Sequence, residues 1–431
     1  MDLTGAIVLV VVFLILLLLR VPIAFSIGIS TVATILLSVD SLAALTTVAQ
    51  RMTTGLDSFT LLAIPFFILA GQIMNKGGIA KRLINLAKVL VGMLPGGLAY
   101  VNIISAMLFG AISGSAVAAA SAIGGVMTPE MDKEGYDREY SASINITSST
   151  MGLLIPPSNV LIVYSLASGG LSIAALFLAG YLPGILVGLG LMIVGGGVAI
   201  KRKYKTGNRV PLKEAFLRFL ASIPSLFLIF LVIGGIIAGV FTATEAAAIA
   251  VVYAFMLALI YREMTLKDVP SVLLEAAKTT AIVMLLIGTS IAMSWILSYE
   301  NIPQAITAAI ISSFDSPIAI LLIINLILLF VGAFMDITPA ILIFTPIFLP
   351  IAVELGIDPI HFGIIMVFNL SVGLCTPPVG TILFVGCSVA DVPITKVIRP
   401  LLPLFAVMIF CLILVTFIPE ISLFLPKLFG Y

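Results

Sequence analysis

Charge is scarce in this chain. Of its 431 residues, 10% are Asp, Glu, Lys or Arg, against roughly 25% in a soluble domain. That shortage excludes an ordinary globular enzyme. An excess of one sign is missing as well, because a net charge of +1 gives no basic field to hold nucleic acid. Histidine occurs once, at His361 in IDPIHFG, and no GxSxG is present, so an intramembrane hydrolase has no nucleophile and base to work with. His361 reads as a loop-facing histidine at a helix start. Cys375, Cys387 and Cys411 lie in apolar sequence without CxxC or metal-ligand spacing, the pattern of small buried hydrophobes. No GxxxxGK occurs, so nothing in the chain hydrolyses ATP.

Apolar sequence fills the space that charge leaves. Hydrophobic residues make up 61% and the mean hydropathy is +1.29. Runs of about 20 apolar residues, enough to span a bilayer, recur from end to end. The clearest are Leu3–Leu19, Pro22–Leu37, Leu61–Met74, Leu171–Ile200, Phe219–Val240, Ala246–Leu259 and Leu401–Ile418. Roughly ten to twelve crossings or partial crossings are expected. The N-terminal MDLTGAIVLVVVF has no positive n-region and no small-residue cleavage site, so it is expected to stay as a span.

The few charges orient the spans. Lys201–Arg218 holds seven Lys and Arg residues and Lys76–Lys88 holds four; Lys133 and Arg138, Arg262 and Lys267, and Lys396 and Arg399 mark further basic loops. Basic loops stay in the cytoplasm. Ser298–Ser316 and Leu349–Ile360 contain Glu300, Asp315, Glu354 and Asp358 with no Lys or Arg, and are expected outside, as are both termini. Arg51 is the misfit and is assigned to an interfacial segment.

An internal repeat follows. Pro156 and Pro157 in GLLIPPSN align with Pro377 and Pro378 in GLCTPPVG, and Gly152 with Gly373, both at a spacing of 221 (378 − 157 and 373 − 152). Gly110–Ala111 aligns with Gly332–Ala333 at 222. Each half reads as a small-residue hairpin (Tyr100–Pro129, then Pro317–Pro350), a polar loop, and a helix broken by Gly…Pro-Pro (about 138–168, then about 360–390). The flanking loops are basic in one half and acidic in the other, as inverted halves require, and inverted repeats with broken helices are a transporter signature. The halves are expected at 1–200 and 219–431, joined by the basic loop 201–218.

A proline pair within a helix frees carbonyls that must find partners in hydrocarbon, and a desolvated sodium ion is one such partner. Oxygens gather in two clusters: Ser113, Ser115, Asn145, Ser148, Ser149 and Thr150, then Asp336, Thr338, Asn369, Ser371 and Thr376. Gly114, Gly152, Gly332 and Gly373 let backbone carbonyls approach. Ser and Thr in apolar helices commonly bond their own backbone or a neighbouring helix. Asp336 differs, because a carboxylate within an apolar hairpin is costly and a functional candidate by default; the competing account is a structural pair. Candidate sodium-site residues are Ser113, Ser115, Asn145, Ser149, Gly152, Gly332, Asp336, Thr338, Gly373 and Thr376. The candidate substrate neighbourhood is Ser148, Thr150, Pro156, Pro157, Asn369, Pro377 and Pro378. Half-helix N-termini suit an anion, which makes an organic acid the natural substrate. Basic residues near the spans are few. Arg51 and Arg399 read as snorkelling at the interface, and Lys278 as a local pair with Glu275.

Six motifs, AIPFFILAG (63–71), GAISGSAVA (110–118), PEMDKEGYD (129–137), PPSN (156–159), FTATEAAA (241–248) and GLCTPPVGT (373–381), resemble the large membrane subunit of TRAP (tripartite ATP-independent periplasmic) transporters over nearly the whole chain. Asn159 departs from the pattern, where a hydrophobic residue is expected after PPS. The resemblance implies a separate small membrane subunit of four helices, a periplasmic substrate-binding protein, and sodium-driven, elevator-type import of a carboxylate such as a C4-dicarboxylate or sialic acid through the bacterial or archaeal cytoplasmic membrane. It also implies sodium sites around the hairpin tips. The fold expected is all-α and integral to the membrane, an inverted repeat with two re-entrant helical hairpins and two Pro-Pro-broken helices. The main rival is an ion or solute channel without gradient coupling. A receptor or scaffold has no need of paired helix breaks.

Overall fold

The computed structural model describes residues 4–204, 211–314 and 316–431. Lys205 and Arg209 of the basic loop, and Asp315, lie outside the described residues. Every regular element among those described is helical. Eight helical segments are long and apolar enough to cross a membrane: Phe59–Lys76, Ile173–Lys201, Leu212–Ile237, Ala243–Ile260, Leu266–Tyr299, Pro317–Phe334, Ile337–Glu354 and Ile394–Phe417. Shorter apolar helices of 10–17 residues accompany them, among them Thr4–Leu18 and Ile23–Ser38. Large apolar side chains point outward, with Leu18 83%, Phe230 71% and Leu326 68% exposed. Water would penalise such a surface, and lipid does not.

The first half runs α1 (Thr4–Leu18), α2 (Ile23–Ser38), α3 (Ser41–Leu56), a 3-10 turn at Phe59–Leu62, α4 (Ala63–Lys76) and α5 (Ile79–Val91). A helical pair follows, α6 (Gly97–Ser113) and α7 (Ala116–Lys133), then α8 (Arg138–Ser149), α9 (Asn159–Ala167) and α10 (Ile173–Lys201). The second half runs α11 (Leu212–Ile237), α12 (Ala243–Ile260), α13 (Val269–Tyr299) and α14 (Ile302–Ser313). Its helical pair is α15 (Pro317–Phe334) and α16 (Ile337–Glu354), followed by α17 (Pro359–Gly373), α18 (Thr381–Ala390), α19 (Ile394–Phe417) and α20 (Glu420–Leu428).

Both helical pairs turn within two residues. Gly114 closes the first at φ 61°, its N–H donating to the Gly110 carbonyl at 2.8 Å. A left-handed residue at that point is what glycine supplies without steric cost. Ser115 then caps α7, accepting from Ala118 N–H at 3.3 Å. Met335 and Asp336 make the second turn, and Asp336 caps α16 by accepting from Ile337 N–H at 2.7 Å. Both broken helices begin after an aspartate, Asp137 and Asp358, and are interrupted at Pro156–Pro157 and Pro377–Pro378, both cis.

The two halves interlock. α2 packs along α13, and α12 packs along α4, so each half supplies a partner for the other. The first segments of the broken helices are the most enclosed parts of the chain. Every residue of α8 from Tyr140 to Ser149 is buried, and so is every residue of α17 from His361 onward. The Tyr164 hydroxyl at the end of α9 donates to the Pro359 carbonyl at the start of α17, at 2.8 Å. Near the other ends, a β-carbon on Gly386 of α18 would meet Ile146 of α8.

Three local expectations change. His361 starts a helix but is buried rather than loop-facing, because its Nδ1 lies 2.6 Å from Ser422 Oγ of α20. Lys278 and Glu275 are both exposed, and neither belongs to the ion pairs found among the described residues. The proline pairs also differ in setting, since Pro156 and Pro157 are buried while Pro377 and Pro378 are exposed.

Candidate functional site

Both two-residue turns point into one cavity of about 470 Å³. Ser113, Gly114 and Ser115 enter from the first helical pair and Asp336, Ile337 and Thr338 from the second. Asn159 and Thr381, the first residues of the helices that resume after the proline pairs, line it as well. The far wall comes from α4 and α13, through Gly71, Gln72, Asn75, Thr279 and Val283. Among the described residues no Lys or Arg lines the cavity, and the one acid that does is Asp336, exposed to that space. None of the ion pairs among the described residues includes Asp336. The structural pair that competed for this carboxylate is therefore not found among the described residues.

Close backbone packing holds the two turns in place. A β-carbon on Gly152 would lie 2.8 Å from Gly110 Cα, and one on Gly373 would lie 2.6 Å from Gly332 Cα. Each helical pair thus rests directly on the break of its own half. Past the breaks the pattern continues. A β-carbon on Gly114 would come within 2.8 Å of the Pro157 carbonyl oxygen, while Val379 N–H and Gly380 N–H both donate to the Ala333 carbonyl at 3.2 Å. Ser158 caps α9, accepting from Leu161 N–H at 3.4 Å, and its hydroxyl donates to the Leu153 carbonyl at 2.6 Å.

Two further polar contacts join the first arms to the broken helices. Ser148 Oγ lies 3.4 Å from Asn102 Oδ1, and Asn369 Nδ2 donates to Asn325 Oδ1 at 2.7 Å. Ser148 and Asn369 are 221 residues apart (369 − 148), the repeat spacing again. Several buried oxygens have no partner among the described residues: Asn145 Oδ1, Asn159 Oδ1, Asn369 Oδ1 and Thr381 Oγ1. Unpaired buried oxygens are costly, and acceptors without donors suit a cation. The donor set near the turns fits a hard monovalent ion: one carboxylate, hydroxyls and amide carbonyls.

Residues 10–421 match the family model described as Tripartite ATP-independent periplasmic transporter, DctM component. The chain belongs to that family. It is 58% identical to the uncharacterized protein YgiK of Salmonella typhimurium, over 97% of this chain and 96% of the relative. Identity is 44% to the C4-dicarboxylate TRAP transporter large permease protein DctM of Pseudomonas aeruginosa, with 94% of both chains covered. It is 40% to the sialic acid TRAP transporter large permease protein SiaM of Vibrio cholerae, covering 89% of this chain and 90% of that one. Among solved structures, the YdaH transporter of Alcanivorax borkumensis shares the fold at a TM-score of 0.64 and 15% identity, covering 88% of this chain and 89% of that one. The chain is a multi-pass transporter permease of the TRAP family and not an enzyme.

Of the sequence-predicted site residues, Ser113, Ser115, Asp336 and Thr338 line the cavity. Asn145 and Asn369 lie buried behind it, each with an amide N–H bonded to a helical arm (to the Ala120 carbonyl at 2.8 Å, and to the Asn325 carbonyl at 2.9 Å) and with its carbonyl unpaired. Ser149, Thr150 and Thr376 donate to carbonyls one turn back, at 2.6, 2.7 and 3.1 Å. That is the ordinary bonding of hydroxyls in apolar helices. Gly152, Gly332 and Gly373 lie at the helix contacts described above. Pro156, Pro157, Pro377 and Pro378 shape the loops behind the cavity without lining it.

Gln72, Asn75, Asn159 and Thr381 line the cavity and were not singled out as site residues. Two signals were present in the sequence. Gln72 and Asn75 are amides in an apolar helix just after the AIPFFILAG motif, and Asn159 is the one departure from the PPS pattern.

Proposed function

We propose that this chain is the substrate-carrying permease of a sodium-coupled secondary transporter. It imports an organic acid anion, of the C4-dicarboxylate or sialic acid class, across the bacterial or archaeal inner membrane. The observation that carries the reading is the convergence of both helical turns and both resumed helices on one cavity that holds an unpaired carboxylate. Its partners are a periplasmic substrate-binding protein, which delivers the anion, and a small four-helix membrane subunit that completes the scaffold.

In this reading the halves 1–200 and 219–431 are inverted in the membrane and joined by the basic loop 201–218. The Tyr164–Pro359 contact supports the inversion, because it joins the end of one broken helix to the start of the other. The helical pairs are re-entrant hairpins, and with both broken helices they form the moving body. Sodium binds first, drawing on Asp336, Thr338 and Ser113 at the tips and on the unpaired carbonyls of Asn145 and Asn369. Bound sodium offsets the carboxylate's charge in a cavity lined by no Lys or Arg. Ser115, Asn159, Thr381 and the N-terminus of α9 then hold the anion through hydroxyls, amides and the helix dipole. Rigid-body translocation follows, the elevator motion. Two or more sodium ions per cycle allow accumulation, each charge contributing about 2.3 kcal/mol per 100 mV.

The test is uptake in proteoliposomes holding this chain, its small partner and its binding protein. Labelled succinate and sialic acid are supplied with and without an inward sodium gradient. Sodium-driven accumulation of either supports the reading, and uptake indifferent to sodium removes the coupling.

A further inference from the structure

Arg51 is the basic residue that the orientation rule leaves unexplained, and the structure gives it a setting. It lines a second cavity of about 430 Å³ between α3 and α13 on one side and the end of α9 with α16 on the other. Its guanidinium lies over the Trp295 ring at 5.2 Å from the centroid. None of the ion pairs among the described residues includes Arg51. Three hydroxyl residues of α13, Ser290, Ser294 and Ser298, line the same space. Ser290 is 1% exposed, and its hydroxyl has no hydrogen-bond partner. A buried unpaired hydroxyl costs stability, and the exposed Arg51 guanidinium, which lines the same cavity, presents a planar fork of donors suited to a carboxylate.

This cavity and the central one share a helix face. Thr279 and Val283 line the central cavity, and Ser290, Ser294 and Ser298 line this one. Val283 and Ser290 are seven residues apart, two helical turns, so the lining residues form one stripe along α13. Ile287, fully buried, lies on that stripe between the two cavities. The central cavity is nearer the end of α13 where Lys76 bonds Ser271, and the second nearer the end at Tyr299. Leu342 and Pro346 line the second cavity six and ten residues along α16 from Asp336, about 9–15 Å at the helical rise.

We propose that Arg51, with the Ser290 and Ser294 hydroxyls, forms a second anion-binding station that takes the carboxylate of an organic acid on the side away from the basic loops. The role as an entry station rests on the import reading above. Once the anion moves on to the central cavity it leaves the guanidinium behind, and Arg51 returns to the Trp295 ring.

Trp295 is the chain's single tryptophan and therefore a built-in reporter. The purified permease with its small subunit is titrated with succinate, with N-acetylneuraminate and with uncharged dimethyl succinate, following the emission lost in Trp295→Phe. A saturable Trp295-dependent change with a carboxylate, absent with the ester and abolished in Arg51→Gln, is expected. In proteoliposomes, Arg51→Gln is expected to raise the KM for uptake about tenfold with Vmax and sodium dependence retained, and Arg51→Lys to recover part of the loss. A Trp295 signal that neither carboxylate moves, a signal that survives Arg51→Gln, or an unchanged KM overturns the station. If parent uptake ignores sodium, the coupling reading fails while the titration still decides the site. Intact sodium-driven uptake with a silent titration removes the station alone.

Discussion

Gly110 of α6 and Gly152, in the 3-10 turn after α8, meet backbone to backbone: a β-carbon on Gly152 would sit 2.8 Å from Gly110 Cα. Gly332 and Gly373 repeat the contact in the second half, with a β-carbon on Gly373 lying 2.6 Å from Gly332 Cα. Neither contact tolerates a methyl group without backbone movement. In a membrane, where packing rather than apolar transfer holds helices together, such small-residue contacts are a main source of cohesion.

Gly152→Ala is therefore expected to lower stability by about 1–3 kcal/mol, the usual cost of overpacking. Gly125→Ala is the control, because nothing lies within 4 Å of a β-carbon there, and a mid-helix alanine is favoured over glycine by about 1 kcal/mol. Thermal unfolding in detergent micelles separates the two. Equal stability in both variants would show that the glycine contact does not hold the hairpin to the break.

Asp336→Asn distinguishes ion binding from capping. Asparagine caps a helix about as well as aspartate, so the variant should keep its α16 cap and melt close to the parent. Sodium-driven uptake should be lost, because the carboxylate is gone. Full uptake in a folded Asp336→Asn protein would remove this residue from the ion site.

Asn159→Leu places a hydrophobic residue at the one departure from the motif. Its Oδ1 is buried and unpaired, so removing it should leave stability unchanged or raise it, given the roughly 1–3 kcal/mol cost of an unsatisfied polar group. The KM for substrate should rise several-fold if the amide faces the anion. A stable variant with unaltered KM would assign Asn159 no part in binding.

Tyr164→Phe removes the hydroxyl that joins the end of α9 to Pro359. The expected loss is about 0.5–1.5 kcal/mol, the net worth of one hydrogen bond. Hydrogen exchange at the start of α17 should rise with it. Unchanged exchange there would mean that the tyrosine ring, not its hydroxyl, makes the connection.

Much of this architecture is legible in the linear chain. Apolar runs set the helices, and the Pro-Pro and glycine spacings of 221 and 222 mark the breaks and the residues that lead into the turns. The hairpins were expected to close at Pro129 and Pro350, and the second helices of the two pairs run on to Lys133 and Glu354. Both helices run past their prolines with the capping N–H still bonded one turn back, Glu134 to the Glu130 carbonyl and Leu355 to the Ile351 carbonyl. The site was legible where a polar residue broke an apolar hairpin, as at Asp336, Ser113, Ser115 and Thr338. At Gln72 and Asn75 the sequence shows amides in an apolar helix but not the cavity they line, because that helix lies outside the repeat motifs and reaches the cavity through packing.

The sequence by itself determined what local chemistry can determine: which segments are apolar enough to leave water, where the backbone must break, and which carboxylate interrupts an apolar hairpin. It also determined the family, whose model matches residues 10–421. Tertiary structure alone decided which polar atoms face each other. Ser149, Thr150 and Thr376 have the composition of site residues yet bond the carbonyl one turn back, whereas Asn159 and Thr381 line the cavity and keep a buried side-chain oxygen without a partner among the described residues. A hydroxyl in a helix can turn to the carbonyl one turn back or to open space. Only the approach of a neighbouring helix, here two hairpin tips meeting α4 and α13, fixes which of the two is available.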